Sequence, residues 1–260
     1  MEREAYCIDR ILEPGTRAEL TMDRHCLIHA LRGSVRLEAE GRRWSLTPPR
    51  AALLAAGKPI RMSVASRLHA ASALFAPGFV PAPRAALSVL DMTPLARELM
   101  VALRGHGPEG GALPAAAARM FAVLGDVVLG LARAPSPWVL PAPTDERLAR
   151  AMAIAEASLE NLPSFAEIAR ESGQSTRSLT RRCAEELGTS WRDLIRRMRM
   201  IRAAEMLATG TASITEIAVT VGYTSPSGFN EAFREMAGQS PTEYRAALRV
   251  GYSAAGTSAP

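Results

Sequence analysis

The chain has 260 residues, 48% of them hydrophobic, and a net charge of +5, which suits one or two domains with buried cores. No apolar run approaches the roughly 18 residues of a membrane span, and the start lacks a basic-apolar-small leader pattern, so a cytoplasmic location and no membrane partner are expected. The three cysteines, Cys7, Cys26 and Cys183, are odd in number and far apart, a spacing that fits neither a disulfide framework nor a cysteine-based metal site.

Residues 1 to about 80 read as strands. Val35, Leu37 and Ala39 alternate with Arg36, Glu38 and Glu40, the period of two that a half-buried strand needs. A Glu40-Gly41 turn leads on to Trp44 and Leu46. Further along, Ile60, Met62 and Val64 alternate with Arg61, Ser63 and Ala65. Pro48-Pro49, Gly57 and Pro59 punctuate short strands, as a small barrel requires. Gly33 to Pro59 resembles the cupin-type sensory domain. A catalytic metal in such a barrel would need several converging ligands, among them a His-x-His pair. Here His25 and His29 are four apart, Ile60 follows Pro59 where the related pattern often has a histidine, and His69 is isolated. No metal and no cofactor are expected. A ligand pocket and an empty structural barrel both stay open, and no residue names a small-molecule effector.

From Thr93 the period becomes helical. Leu95, Leu99, Ala102 and Leu103 mark one helix, and Gly105 to Gly111 a loop. A second helix over Leu113 to Leu131 has a broad apolar face of Met120, Val123, Leu124, Val127, Val128 and Leu131. That face can pack on the barrel, line a homodimer seam at Met120, Val123, Val127 and Leu131, or do both. Ala134 to Thr144 holds four prolines and Trp138 and reads as a semi-rigid linker.

The stretch from Ser213 to Tyr244 reads as helix, tight turn, helix. Ser213 with Glu216 has capping-box spacing, and Ile214, Ile217, Ala218 and Val221 follow at helical intervals. Gly222 ends that helix, and Ser225 with Pro226 opens the next. Phe229, Phe233 and Met236 face inward, while Ser227, Asn230, Glu231 and Arg234 share the opposite face. The same arrangement is written earlier. Ser164, Glu167, Ile168, Ala169 and Gly173 recur 49 residues later, and Ser175, Cys183, Gly188 and Ser190 recur 50 later, with Phe233 in the place of Cys183. Two tandem helix-turn-helix units follow.

GYTSPSGFNEAFREMAGQSPTEYR resembles the signature of AraC/XylS-type transcription regulators, and LPSFAEIARESGQSTRSLTRRCAEELG resembles their first helix-turn-helix. The likeness covers roughly Asp145 to Arg249. It implies a DNA-binding domain of about seven helices preceded by a sensory or dimerising domain, with double-stranded DNA, a second copy of the chain and RNA polymerase as partners. The expected fold is therefore α+β: a cupin-like barrel over 1–83, a helical hairpin over 84–134, a linker over 135–144, an all-α tandem helix-turn-helix domain over 145–250, and a disordered tail over 251–260. The family's base-reading positions fall on Arg177, Thr180, Arg181, Ser227, Asn230 and Glu231. Arginine suits guanine, asparagine adenine, and glutamate the cytosine amino group. Ser175, Arg182, Arg196, Arg199, Ser225 and Arg234 are placed for the phosphate backbone.

Bulk charge does not add to this reading. From Thr144 to Arg249 there are 14 arginines against 14 acidic residues. A local cluster does add to it: Arg177, Arg181, Arg182, Arg192, Arg196, Arg197, Arg199 and Arg202 face only three acids between Thr176 and Ala204. The alternative, a cupin-type enzyme or a DNA-modifying protein, requires a metal cluster or an activated cysteine, and the sequence displays neither.

Overall fold

The computed structural model of the chain describes residues 3–48, 50–134 and 136–253. They divide into two compact units, the first carried by residues 3–40 and 44–136, the second by residues 41–43 and those from Pro137 on.

The first unit is built on antiparallel strands β1 (Ala5–Leu12), β2 (Arg17–Thr21), β3 (His25–Ala39), β4 (Arg42–Leu46), β5 (Arg50–Leu54), β6 (Pro59–Phe75) and β7 (Leu87–Asp91). The strands were expected to be short. Instead β3 and β6 run for 15 and 17 residues and form a spine. Each exchanges neighbours along its length. One half of β6, Leu68 to Phe75, pairs with β1, and the other, Pro59 to Ser63, pairs with β2. β5 pairs with β3 over Cys26 to His29, and β7 lies beyond β5.

The β3–β6 register slips three times between Ala30 and Val35. Gly33 sits in that bend at φ +77, and a Cβ there would lie 2.0 Å from the Arg67 carbonyl oxygen. Only glycine fits this bend. The cupin-like barrel must accordingly be corrected. Among the described residues the sheet is open, running β1-β6-β3-β4 with β2, β5 and β7 as side branches. The bent spine strands serve two sets of neighbours without the ladder closing.

Helices α1 (Pro94–Leu103) and α2 (Ala115–Leu131) form the expected hairpin, with Thr93 capping α1 by accepting from Ala96 N. β7 lies inside the segment assigned to that hairpin, so the sheet extends further along the chain than expected. Ala96, Met100 and Leu103 of α1 and Phe121, Leu124 and Val128 of α2 join Leu27, Leu53 and Phe75 in one core. Phe121 meets Phe75 edge-on at 6.2 Å.

The second unit contains β8 (Val139–Pro141) and seven helices: α3 (Glu146–Ala157), α4 (Phe165–Glu171), α5 (Thr176–Leu187), α6 (Trp191–Thr209), α7 (Ile214–Thr220), α8 (Pro226–Ala237) and α9 (Pro241–Ser253). The repeat is carried into the capping chemistry. Ser164 with Glu167 and Ser213 with Glu216 form complete capping boxes at α4 and α7. Ser190 and Ser240 then cap α6 and α9, each bonded to an acid three residues on, Asp193 and Glu243. Gly222 turns the chain at φ +82, where a Cβ would lie 2.3 Å from the Leu159 carbonyl oxygen.

Leu179, Cys183, Leu194, Met198, Phe229 and Phe233 fill the core of this unit. Burial pushes the Cys183 thiol up to about 11, so it serves as a small hydrophobe. Two expectations change here. Trp138 and Leu140, assigned to a linker, are buried in this core. Helix α9 runs on to Ser253, into the expected tail, and the remaining residues 254–260 lie outside the described ones.

Candidate nucleic-acid interface

Two helices present equivalent outward faces. On α5, Leu179 and Cys183 point into the core and leave Arg177, Thr180 and Arg181 exposed. On α8, Phe229 and Phe233 point inward and leave Ser227 and Glu231 exposed with Asn230 half-buried. The 3.6-residue period produces both arrangements. Ser175 and Ser225 are the N-caps, accepting from Ser178 N at 3.2 Å and Gly228 N at 3.3 Å. Thr180 donates its hydroxyl to Thr176 O at 2.9 Å, which leaves its lone pairs and methyl group facing out.

The arginines differ sharply in how they are held. Arg177 on α5 and Arg192 and Arg197 on α6 are exposed and make no ion pair among the described residues. Arg181 faces Glu185 at 3.0 Å in an exposed i,i+4 pair, the kind that opens at little cost. Arg196 pairs with Glu235. Arg199 is half-buried with its guanidinium 5.6 Å from the centre of the Tyr223 ring.

Arg182, placed by sequence among backbone-contacting residues, turns to its own protein. Its Nε lies 3.2 Å from Asp145 Oδ2, and its Nη1 donates to Gln174 Oε1 at 2.7 Å. These contacts engage Nε and Nη1 of the guanidinium and leave Nη2 outside them. Arg192 and Arg197 belong to the arginine cluster, and only the three-dimensional arrangement shows that neither meets an acid among the described residues. On α8 the balance is reversed: Arg234 is exposed, and Glu231 stays clear of it.

Residues 168–253 match the family model described as a helix-turn-helix domain. An HTH-type transcriptional regulator of Mycobacterium tuberculosis, itself uncharacterized, is 37% identical over 82 residues, 32% of this chain and 24% of that protein. The AraC-type regulator from Chromobacterium violaceum is a structural neighbour at 30% identity and a TM-score of 0.38, covering 39% of this chain and 91% of that one. Residues 168–253 are an AraC-type helix-turn-helix domain.

The chain spans about a quarter of the length of the first curated relatives it matches. The HTH-type transcriptional regulator NimR of Escherichia coli is similar over a longer stretch, 26% identical over 245 residues, 94% of this chain and 88% of that protein. The relatives of the AraC-type domain carry the names of transcriptional regulators and not of enzymes. Among the described residues no group of three His, Cys, Asp or Glu is arranged to hold a metal, and no helix is long and apolar enough to cross a membrane.

Proposed function

We propose that the protein is a sequence-specific transcription regulator that binds double-stranded DNA, with α5 and α8 of one monomer in successive major grooves. One observation carries this reading. Both candidate recognition helices are joined by α6, 19 residues long. At ~1.5 Å per residue it spans ~28 Å, near the ~34 Å between major grooves on one face. A bend in the DNA makes up the difference. Arg177 and Arg181 are the candidates for guanine, Thr180 for a thymine methyl group, Asn230 for adenine and Glu231 for a cytosine amino group. Arg192 and Arg197 are placed for phosphates.

A preferred site drawn from random DNA tests this. On that site Arg177→Ala is expected to weaken binding by ~1–3 kcal/mol and to relax choice at one base pair. Arg197→Ala is expected to weaken preferred and random DNA alike and to reduce the salt slope by ~1. Equal losses on both kinds of DNA from Arg177→Ala would remove it from base reading.

Control of DNA binding through the first unit, and dimerisation, complete the proposal. Of the suggested seam, Val123 is 45% exposed and Met120, Val127 and Leu131 are half-buried, flanking a stripe that the hairpin's own core already uses. Two tethered DNA-binding domains gain effective concentration without new DNA contacts. Val123→Glu is expected to give a folded monomer with weaker binding to paired sites. Sedimentation decides the matter, since a wild-type monomer at micromolar concentration would return that face to the protein's own surface.

A further inference from the structure

Residues 138–145 touch both candidate recognition helices. Trp138 is 1% exposed, with its ring 5.6 Å from Phe233 of α8 and 5.6 Å from Tyr244 of α9. Leu140 is buried beside it, and Val139–Pro141 runs extended along α6. Six residues beyond Trp138, roughly 20 Å of extended chain, the same segment is gripped from α5. Glu186 Oε1 accepts from Thr144 N, from Thr144 Oγ1 at 2.7 Å and from Asp145 N at 3.1 Å. Arg182 of α5 adds its ion pair to Asp145, which also caps α3 by accepting from Leu148 N at 2.9 Å.

The placement of Glu186 calls for a reason. It lies in the last turn of α5, where the helix dipole disfavours an acid, and it is exposed, so no packing demands it. Burial raises its pKa, but the hydrogen bonds from Thr144 and Asp145 outweigh that and hold the carboxyl below its usual range. Its three acceptor contacts all go to the incoming chain.

We propose that Trp138 to Asp145 is a strap that fixes the placement of α5 relative to α8, making Trp138, Thr144 and Glu186 positioning residues for paired groove reading. Its use in DNA reading rests on the function proposed above; its mechanical role does not. The chain from the first unit enters the second through this strap, so tension on it reaches both helices together.

The test uses the full chain with spin labels on cysteines introduced at Thr176 of α5 and Ser227 of α8, both exposed. The native Cys7, Cys26 and Cys183 are buried and stay unlabelled. Glu186→Ala is expected to broaden the distance distribution between the labels. Glu186→Gln keeps the acceptor oxygen, and Thr144→Ser keeps the hydroxyl, so both are expected to retain the narrow wild-type distribution. In unlabelled protein, Glu186→Ala is expected to lose about tenfold in affinity for a two-element site while binding a single element as before. An unchanged distribution in Glu186→Ala overturns the strap. So does an equal loss on both kinds of site, which would mark a general loss of stability. A broadened distribution in a protein whose wild type selects no DNA sequence supports the strap and overturns the proposed function instead.

Discussion

Phe233→Ala is expected to destabilise the second unit by about 3–5 kcal/mol, the range for deleting a fully buried aromatic ring. Phe233 has no exposed surface and lies where α8, α9 and the segment before β8 meet. Its ring is 5.9 Å from Phe229, 5.3 Å from Tyr244 and 5.6 Å from Trp138. Truncation strips partners from three aromatic rings at once, and the helices around them, fixed by their caps, can close the cavity only in part. With a typical domain stable by only about 5–15 kcal/mol, such a loss leaves the unit marginal at 37 °C. Thermal melts of the wild type and variant give the answer. A shift of less than a degree or two would mean that Phe233 is accessible to water.

Acid is expected to destabilise the first unit through His29. This side chain is 5% exposed on β3, and its Nε2 has no hydrogen-bond partner among the described residues. Burial, and then the charges of Arg97 and Arg104, pull its pKa down from 6.5 to about 4. In the unfolded chain the same imidazole takes up a proton near 6.5. Its contribution is therefore fully present above pH 6.5 and is lost as pH falls from there toward 4. The loss amounts to about 2–3 kcal/mol by pH 4. Burial lowers the His25 pKa in the same direction. His29→Leu, which carries no titrating group, is expected to lose that much less stability than wild type between pH 7 and pH 4. Parallel stability curves for the two proteins would mean that His29 is protonated without cost in the folded state.

How much of the fold could be read from sequence depended on the range of the interactions. Ser164 with Glu167 and Ser213 with Glu216 lie three residues apart, and those contacts close as capping boxes. The inward residues of α5 and α8 follow from the helical period alone. In the first unit, alternation marked Val35, Leu37, Ile60 and Val64, all buried. It gave no sign that β3 and β6 run on through a bend, because the close approach that requires Gly33 there comes from Arg67, far away in the chain.

The sequence by itself determined the tandem units, their caps and the inward faces of α5 and α8. All of these are set within one or two helical turns, where spacing and side-chain chemistry suffice. Only the tertiary structure decided that, among the described residues, the sheet stays open and Arg182 turns to Asp145 while Arg192 and Arg197 meet no acid, and that Trp138 belongs to a core instead of a linker. Strand order, the partner a long guanidinium finds and the cavity an indole fills depend on groups tens of residues away. Their positions exist only once the chain has folded.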